Sequence, residues 1–128
     1  MRSSVAAVAL VGLSACQTTA PTASTTRDLM AGTSWSFTVP NAGQVIGTFG
    51  TNGHYYDLSG GKVVESGTFA TAGGQVCEHV DGTPANDRLC WSLPNTLPPV
   101  GGTLTTTSSK GQTLTATRIA FRGNGPTH

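Results

Sequence analysis

The sequence predicts an all-β domain, a small antiparallel up-and-down barrel or sandwich of about eight strands, carried behind a signal peptide and a flexible tether. Three observations lead there. Apolar residues alternate with polar ones in short runs, the period of a half-buried strand. Gly-Gly and Asn-Gly pairs punctuate those runs as hairpin turns do. Charged residues make up only 10% of the 128-residue chain, while Gly (17 residues) and Thr are abundant. That composition suits strands and turns better than helices.

The elements follow in chain order. "TSWSFTV" places Trp35, Phe37 and Val39 on one face and Ser34, Ser36 and Thr38 on the other. "QVIGTFG" keeps Val45, Gly47 and Phe49 in phase, and Asn52-Gly53 then signals a two-residue hairpin. "HYYDLS" runs to a turn at Gly60-Gly61, and "KVVESGTFA" continues with Val63, Gly67 and Phe69 in phase. After "TAGGQ", the strands "QVCEH" and "RLCWSL" follow, the second with Leu89, Trp91 and Leu93 on one face and Cys90 on the other. The prolines of "PNTLPPVGG" lack amide donors and exclude a central strand there. "GTLTTTS" and "QTLTATRIAF" form a last hairpin around residues 109–111. Its apolar phase slips between Leu114/Ala116 and Ile119/Phe121, which predicts a bulge near Arg118. No segment of the mature chain has the period of an amphipathic helix. The expected core is Trp35, Phe37, Phe49, Tyr55, Phe69, Leu89, Trp91 and Leu93. Gly recurs shortly before strand aromatics in "GTSW", "GTFG" and "GTFA", where bare backbone lets a ring pack closely. Their unequal spacing excludes a repeat of fixed period.

The chain divides into 1–15 (signal peptide), 16–30 (acylated cysteine and tether), 31–122 (β domain) and 123–128 (C-terminal tail). Arg2 supplies a positive start, and Val5 to Leu13 is an uninterrupted run of apolar or small residues. The run is shorter than the roughly 20 residues a spanning helix needs, but it matches the apolar region of a signal peptide. Leu13, Ser14, Ala15 and Cys16 then resemble the lipobox of bacterial lipoproteins. The resemblance implies cleavage after Ala15, a thioether from Cys16 to diacylglycerol and an acyl chain, such as palmitate, on the new amine. Each buried methylene contributes about 0.8 kcal/mol, so several chains hold a protein on a membrane. Gln17, where an Asp would imply retention in the inner membrane, implies an address on the periplasmic face of the outer membrane. "QTTAPTASTT" has no large apolar residue and reads as a tether that reaches about 40 Å when extended.

The other two cysteines, Cys77 and Cys90, enclose "EHVDGTPANDRL". Export places them in an oxidising compartment, which predicts a disulfide between them. A metal would need more ligands than Cys77, His79 and Cys90, and none is grouped at zinc-site spacing. No metal and no cofactor are expected beyond the lipid on Cys16. With Arg2 removed, the basic residues equal the acidic ones in number, and no basic stripe exists to neutralise phosphates, which excludes nucleic-acid binding.

For function, three classes compete. The pattern of the domain is loosely similar to small lipocalin-like barrels of periplasmic protease inhibitors and other envelope lipoproteins. "GTSW" resembles the lipocalin Gly-x-Trp with one extra residue between Gly32 and Trp35. That resemblance implies a non-catalytic binding or inhibitory module and transfers no functional residue. An enzyme would draw on His54, Asp57, Glu65, Glu78, His79, Asp81 or Asp87. Among these "EHVDG" (Glu78, His79, Asp81) is the dense cluster, read as a solvated loop, and no nucleophile or phosphate motif accompanies it. No catalytic residue is assigned. A structural or assembly lipoprotein would meet an envelope partner through the loops Pro94–Pro99 and Val80–Asp87. The expectation is a binding or inhibitory module on the outer membrane, with an assembly role or a small-ligand carrier as alternatives. The oligomeric state and any ligand-binding residue are not legible. An apolar cavity inside the domain would favour a small ligand, and a filled core with an exposed apolar patch a protein partner.

Overall fold

The computed structural model describes residues 29–125. The expected signal peptide, Cys16 and the part of the expected tether up to residue 28 lie outside that range, as do the last three residues. The described chain forms eight strands: β1 (Thr33–Val39), β2 (Gly43–Phe49), β3 (His54–Ser59), β4 (Lys62–Ala72), β5 (Gln75–Val80), β6 (Leu89–Ser92), β7 (Thr103–Thr107) and β8 (Thr113–Ile119). They make one antiparallel sheet in the order β6-β5-β4-β3-β2-β1-β8-β7. The two outer strands then meet through a bridge between Trp91 and Ser108, so the sheet is a nearly closed up-and-down barrel. Apart from that bridge, hydroxyls and single amides stitch the seam. The Ser109 amide donates to the Cys90 carbonyl at 2.7 Å, and the Cys90 amide donates to Ser109 Oγ at 3.1 Å. The Thr106 hydroxyl donates to the Ser92 carbonyl. Closure in this way leaves little exposed edge on a domain with few charges.

The turns follow their glycines. Gly60 and Gly61 have φ of 60° and 81°, and Gly73 and Gly74 have 61° and 77°. Two consecutive positive φ values are the twist a two-residue hairpin requires. Asn52-Gly53 differs: it belongs to the longer connection Gly50–Gly53, with the Gly50 amide donating to the His54 carbonyl.

The barrel has two unlike ends. Antiparallel alternation puts the β1–β2, β3–β4, β5–β6 and β7–β8 connections at one end, the rim. The chain entry at Met30 and the β6–β7 loop lie at the other end, the base. The base is sealed. Met30 is buried, Leu93 and Leu97 pack on the core, and Phe69 meets Phe49 edge-on at 5.0 Å. The Thr33 hydroxyl donates to the Met30 carbonyl at 2.7 Å and accepts the Trp35 indole N–H at 2.9 Å. The Arg118 guanidinium lies 6.0 Å from the Trp35 ring centroid and donates to the Pro98 carbonyl at 2.9 Å. The proline-rich loop is thereby bound down over the base.

Two sequence expectations about phase are corrected. β8 pairs with β1 without interruption from Phe37↔Ala116 to Ser34↔Ile119, so no bulge occurs near Arg118. The apolar phase slips there because Arg118 points inward onto Trp35, while Ile119 and Phe121 belong to the outer face. The irregularity falls instead on β4: Asp57 pairs with Glu65 but Leu58 with Val63, leaving Val64 unopposed. That bulge turns Val63 outward, and it is 43% exposed rather than in phase with Gly67 and Phe69.

Of the expected core, Trp35, Phe49 and Tyr55 are buried, and Phe37, Phe69, Trp91 and Leu93 are half-buried against them. Leu89 lines the interior cavity. Val76, Ala116 and Met30 complete the cluster. On the outer face Tyr56 is also buried, because residues 120–125 lie across β1, β2 and β3. Its hydroxyl donates to the Gly123 carbonyl at 3.0 Å, and the Arg122 amide donates to Ser34 Oγ at 3.0 Å. Asn124 Oδ1 accepts the Thr51 amide at 2.9 Å.

Cys77 and Cys90 sit directly opposite one another on β5 and β6, with Cα atoms 3.9 Å apart, and form a disulfide. It holds the four-residue β6 to β5 at the strand that closes the seam. A loop of this size contributes about 3 kcal/mol in the chain-entropy account.

Candidate functional site

The interior is not filled. A cavity of about 380 Å³ runs from Met30 and Phe49 near the base to Pro40 and Gln112 at the rim. Strand alternation determines its lining. Inward positions on β1 carry Trp35 and Phe37, β5 carries Val76 and Glu78, β6 carries Leu89 and Trp91, and β7 and β8 carry Leu104 and Ala116. The half-buried state of Phe37, Trp91 and Leu93 follows, since each has a packed side and a side facing this space.

Three carboxylates enter the same cavity: Asp57 from β3, Glu65 from β4 and Glu78 from β5. Asp57 and Glu65 are direct cross-strand partners, and Glu78 faces inward opposite Phe69 on one side and Leu89 on the other. The β4 bulge is what makes this arrangement possible. Were the register of the turn to continue without the bulge, Asp57 would pair with Val64, and Glu65 would pair with Tyr56 and point out. Gly47 helps on the other side. A β-carbon there would lie 2.8 Å from Asp57 Oδ1 and 3.2 Å from a Phe37 ring carbon, so bare backbone lets the carboxylate lean over β2 against that ring.

Each acid responds to this setting. Removal from water, then the neighbouring Glu65 charge, pushes the Asp57 carboxyl up to about 7. Burial, then the charges of Asp57 and Glu65, pushes Glu78 up to about 8, with a hydrogen bond from Trp91 acting the other way. The Tyr55 hydroxyl donates to Glu65 Oε2 at 2.9 Å. Burial and the surrounding carboxylates hold that phenol far above its ordinary range, so it serves as a neutral donor. The ion pair found among the described residues, Lys110 to Asp87 at 3.8 Å, lies on the surface. Arg118, the cation nearest the interior, is occupied at the base by Trp35 and Pro98.

The sequence cluster "EHVDG" is divided by strand alternation. Glu78 faces the cavity, while on the outside Asp81 accepts the Ser66 hydroxyl at 3.0 Å, and His79 Nε2 lies 3.0 Å from the Pro84 carbonyl oxygen. His54 and Asp87 do not join the cavity lining. The grouping of Asp57, Glu65 and Glu78 was missed because the three are far apart in sequence and meet only through hairpin register. A signal existed: Asp57 shares parity with Tyr55, and Glu78 with Val76. Among the described residues, no group of three or more His, Cys, Asp and Glu side chains is placed to hold a metal ion. Cys77 and Cys90 are joined to each other and face outward. Comparison with protein-family models, curated proteins and solved structures gives no match for this chain.

Proposed function

We propose that the protein is a non-catalytic ligand-binding module of the cell envelope, held to the outer membrane by acyl chains on Cys16, with a small molecule taken into the barrel. The observation that carries this reading is the cavity of about 380 Å³, closed at the base and open at the rim. Its volume is that of a small-molecule site, and its lining is largely apolar with a few polar groups, as in such sites. The barrel therefore suits a small ligand better than the assembly or inhibitory roles, which need no interior space. The chain enters the described domain at the base, so a tether from a lipidated Cys16 would join the barrel at the end opposite the rim and leave the mouth of the cavity unobstructed.

The test is uptake of a neutral apolar fluorophore, N-phenyl-1-naphthylamine, by the purified protein. Emission should rise saturably, and Leu104→Trp, which places an indole in the cavity, should weaken binding at least tenfold. Equal uptake by this variant would place the dye elsewhere and reject the reading. The anchor is tested separately: Cys16→Ser should abolish acyl labelling and release the protein from membranes, and labelling that persists would reject it.

A further inference from the structure

We infer that the cavity takes an amphiphilic amine, with its apolar body toward the base and its ammonium among Asp57, Glu65 and Glu78. This rests on the ligand-binding reading above and names the ligand's chemical class. Three features of the cavity lead to it.

The first is polarity along the axis. Met30, Phe49, Val76 and Leu93 line the base, and no ionisable side chain lines that end of the cavity. The three acids lie nearer the rim, Asp57 and Glu65 beside the β3–β4 turn and Glu78 just before the β5–β6 loop. A ligand that fits must be apolar at one end and compatible with carboxylates at the other.

The second is uncompensated charge. Burying carboxylates next to one another without a cation is costly. Glu65 accepts the Tyr55 hydroxyl and Glu78 has the Trp91 indole beside it, and neither neighbour carries charge. A cation from outside offsets that charge. An anionic ligand would meet repulsion, and a neutral one would leave the acids as they are.

The third is the wall around the acids. Phe37 packs beside Asp57 across Gly47, and Trp91 lines the cavity beside Glu78. Aromatic faces attract ammonium groups, most strongly when desolvated. The carboxylates are not placed to close around a metal ion. An ammonium reaches its acceptors at about 2.8 Å, farther than a metal reaches its oxygens, and it needs hydrogen bonds to only the nearest carboxylate while its charge acts on the others through the low-dielectric interior.

The experiment is calorimetric titration of the purified protein at pH 8 with octylammonium, octanol and octanoate. Octylammonium should bind at least tenfold more tightly than octanol, and octanoate most weakly. Asp57→Asn/Glu65→Gln/Glu78→Gln should bring octylammonium and octanol within about twofold of each other. These isosteric changes remove repulsion, and the single variant Asp57→Asn should already narrow the preference at least threefold. Octanol binding as tightly as octylammonium to the unaltered protein would overturn the amine assignment and leave the ligand-binding reading standing. A preference that survives all three substitutions would also overturn it. Failure of both octylammonium and octanol to bind would overturn both.

Discussion

The unliganded protein should lose stability as pH rises from about 5 to about 9, opposite to the usual gain of a protein whose carboxylates are paired. Asp57 and Glu78 are responsible. In the unfolded chain their carboxyls titrate near 4; in the barrel they titrate at about 7 and about 8. Between those limits the native state holds more protons than the unfolded state, so unfolding becomes easier with each step up in pH. The stabilising contribution is complete below about pH 4 and is gone above about pH 8. The groups facing these two acids are Glu65 on β4 and Tyr55 on β3, with Trp91 on β6 beside Glu78; β2 offers Gly47, and the Arg118 side chain of β8 is engaged at the base. None supplies a positive charge at the cluster. Each tenfold rise in a carboxyl's proton affinity on folding corresponds to about 1.4 kcal/mol; allowing for partial screening at the open rim, the loss is on the order of 5 kcal/mol. That is a large part of the whole stability of a small domain, and it should lower Tm by about 20 °C. Thermal unfolding followed by circular dichroism across this range measures it. Asp57→Asn/Glu78→Gln should flatten the profile and be the more stable protein at pH 9. A wild-type Tm that is constant or rises from pH 5 to 9 would show that these acids are solvated rather than held in the barrel.

The second large effect belongs to Gly67. It sits on β4 between Tyr55 on β3 and Val80 on β5. A β-carbon there would overlap the backbone carbonyl oxygen of His79 and come within 2.9 Å of the Tyr55 ring. A backbone carbonyl in a ladder cannot rotate aside as a flexible side chain can. Gly67→Ala must therefore separate β4 from β5 or push the Tyr55 ring off its bare backbone, and the Tyr55–Glu65 hydrogen bond goes with the ring. Overpacking alone costs about 1–3 kcal/mol, and the displaced backbone brings the expected loss to about 4 kcal/mol. Gly61→Ala provides the contrast. Its φ of 81° is unfavourable for Ala, yet nothing lies within 4 Å of the added carbon, so about 1 kcal/mol is expected. Urea unfolding of the two variants separates them. A Gly67→Ala protein within about 1 kcal/mol of the unaltered one would mean that strand and ring do not approach so closely.

Much of the barrel was legible because its signals are local. The alternation in "TSWSFTV" and "RLCWSL" orients β1 and β6, and the Gly pairs at 60–61 and 73–74 specify turns that only residues tolerant of positive φ can make. The Cys77–Cys90 disulfide, expected on the reading that the chain is exported, is present. What could not be read depends on register between strands. Val63 looked inward because one extra residue, Val64, leaves no trace in strand periodicity. Arg118 looked like an interruption because a charged residue at an inward position is recognised only once Trp35 lies under it. The acidic site combines both difficulties: Asp57 and Glu65 share a face only by virtue of the bulge, and Glu78 appeared to belong with its sequence neighbours His79 and Asp81. The emptiness of the interior is a matter of volume, and residue types alone do not reveal it.

Whether the barrel interior is the binding site, with the acids setting its specificity, is decided by NMR with octylammonium. Trp35 lies deep in the cavity and Trp91 beside Glu78, so their two indole N–H signals report on different depths. Addition of octylammonium should shift both indole signals and the amides of Asp57, Glu65 and Glu78 along one saturable curve, with the exposed outer-face residue Phe121 unmoved. Shifts confined to the outer face, with both indoles unchanged, would mean that the amine never enters the barrel.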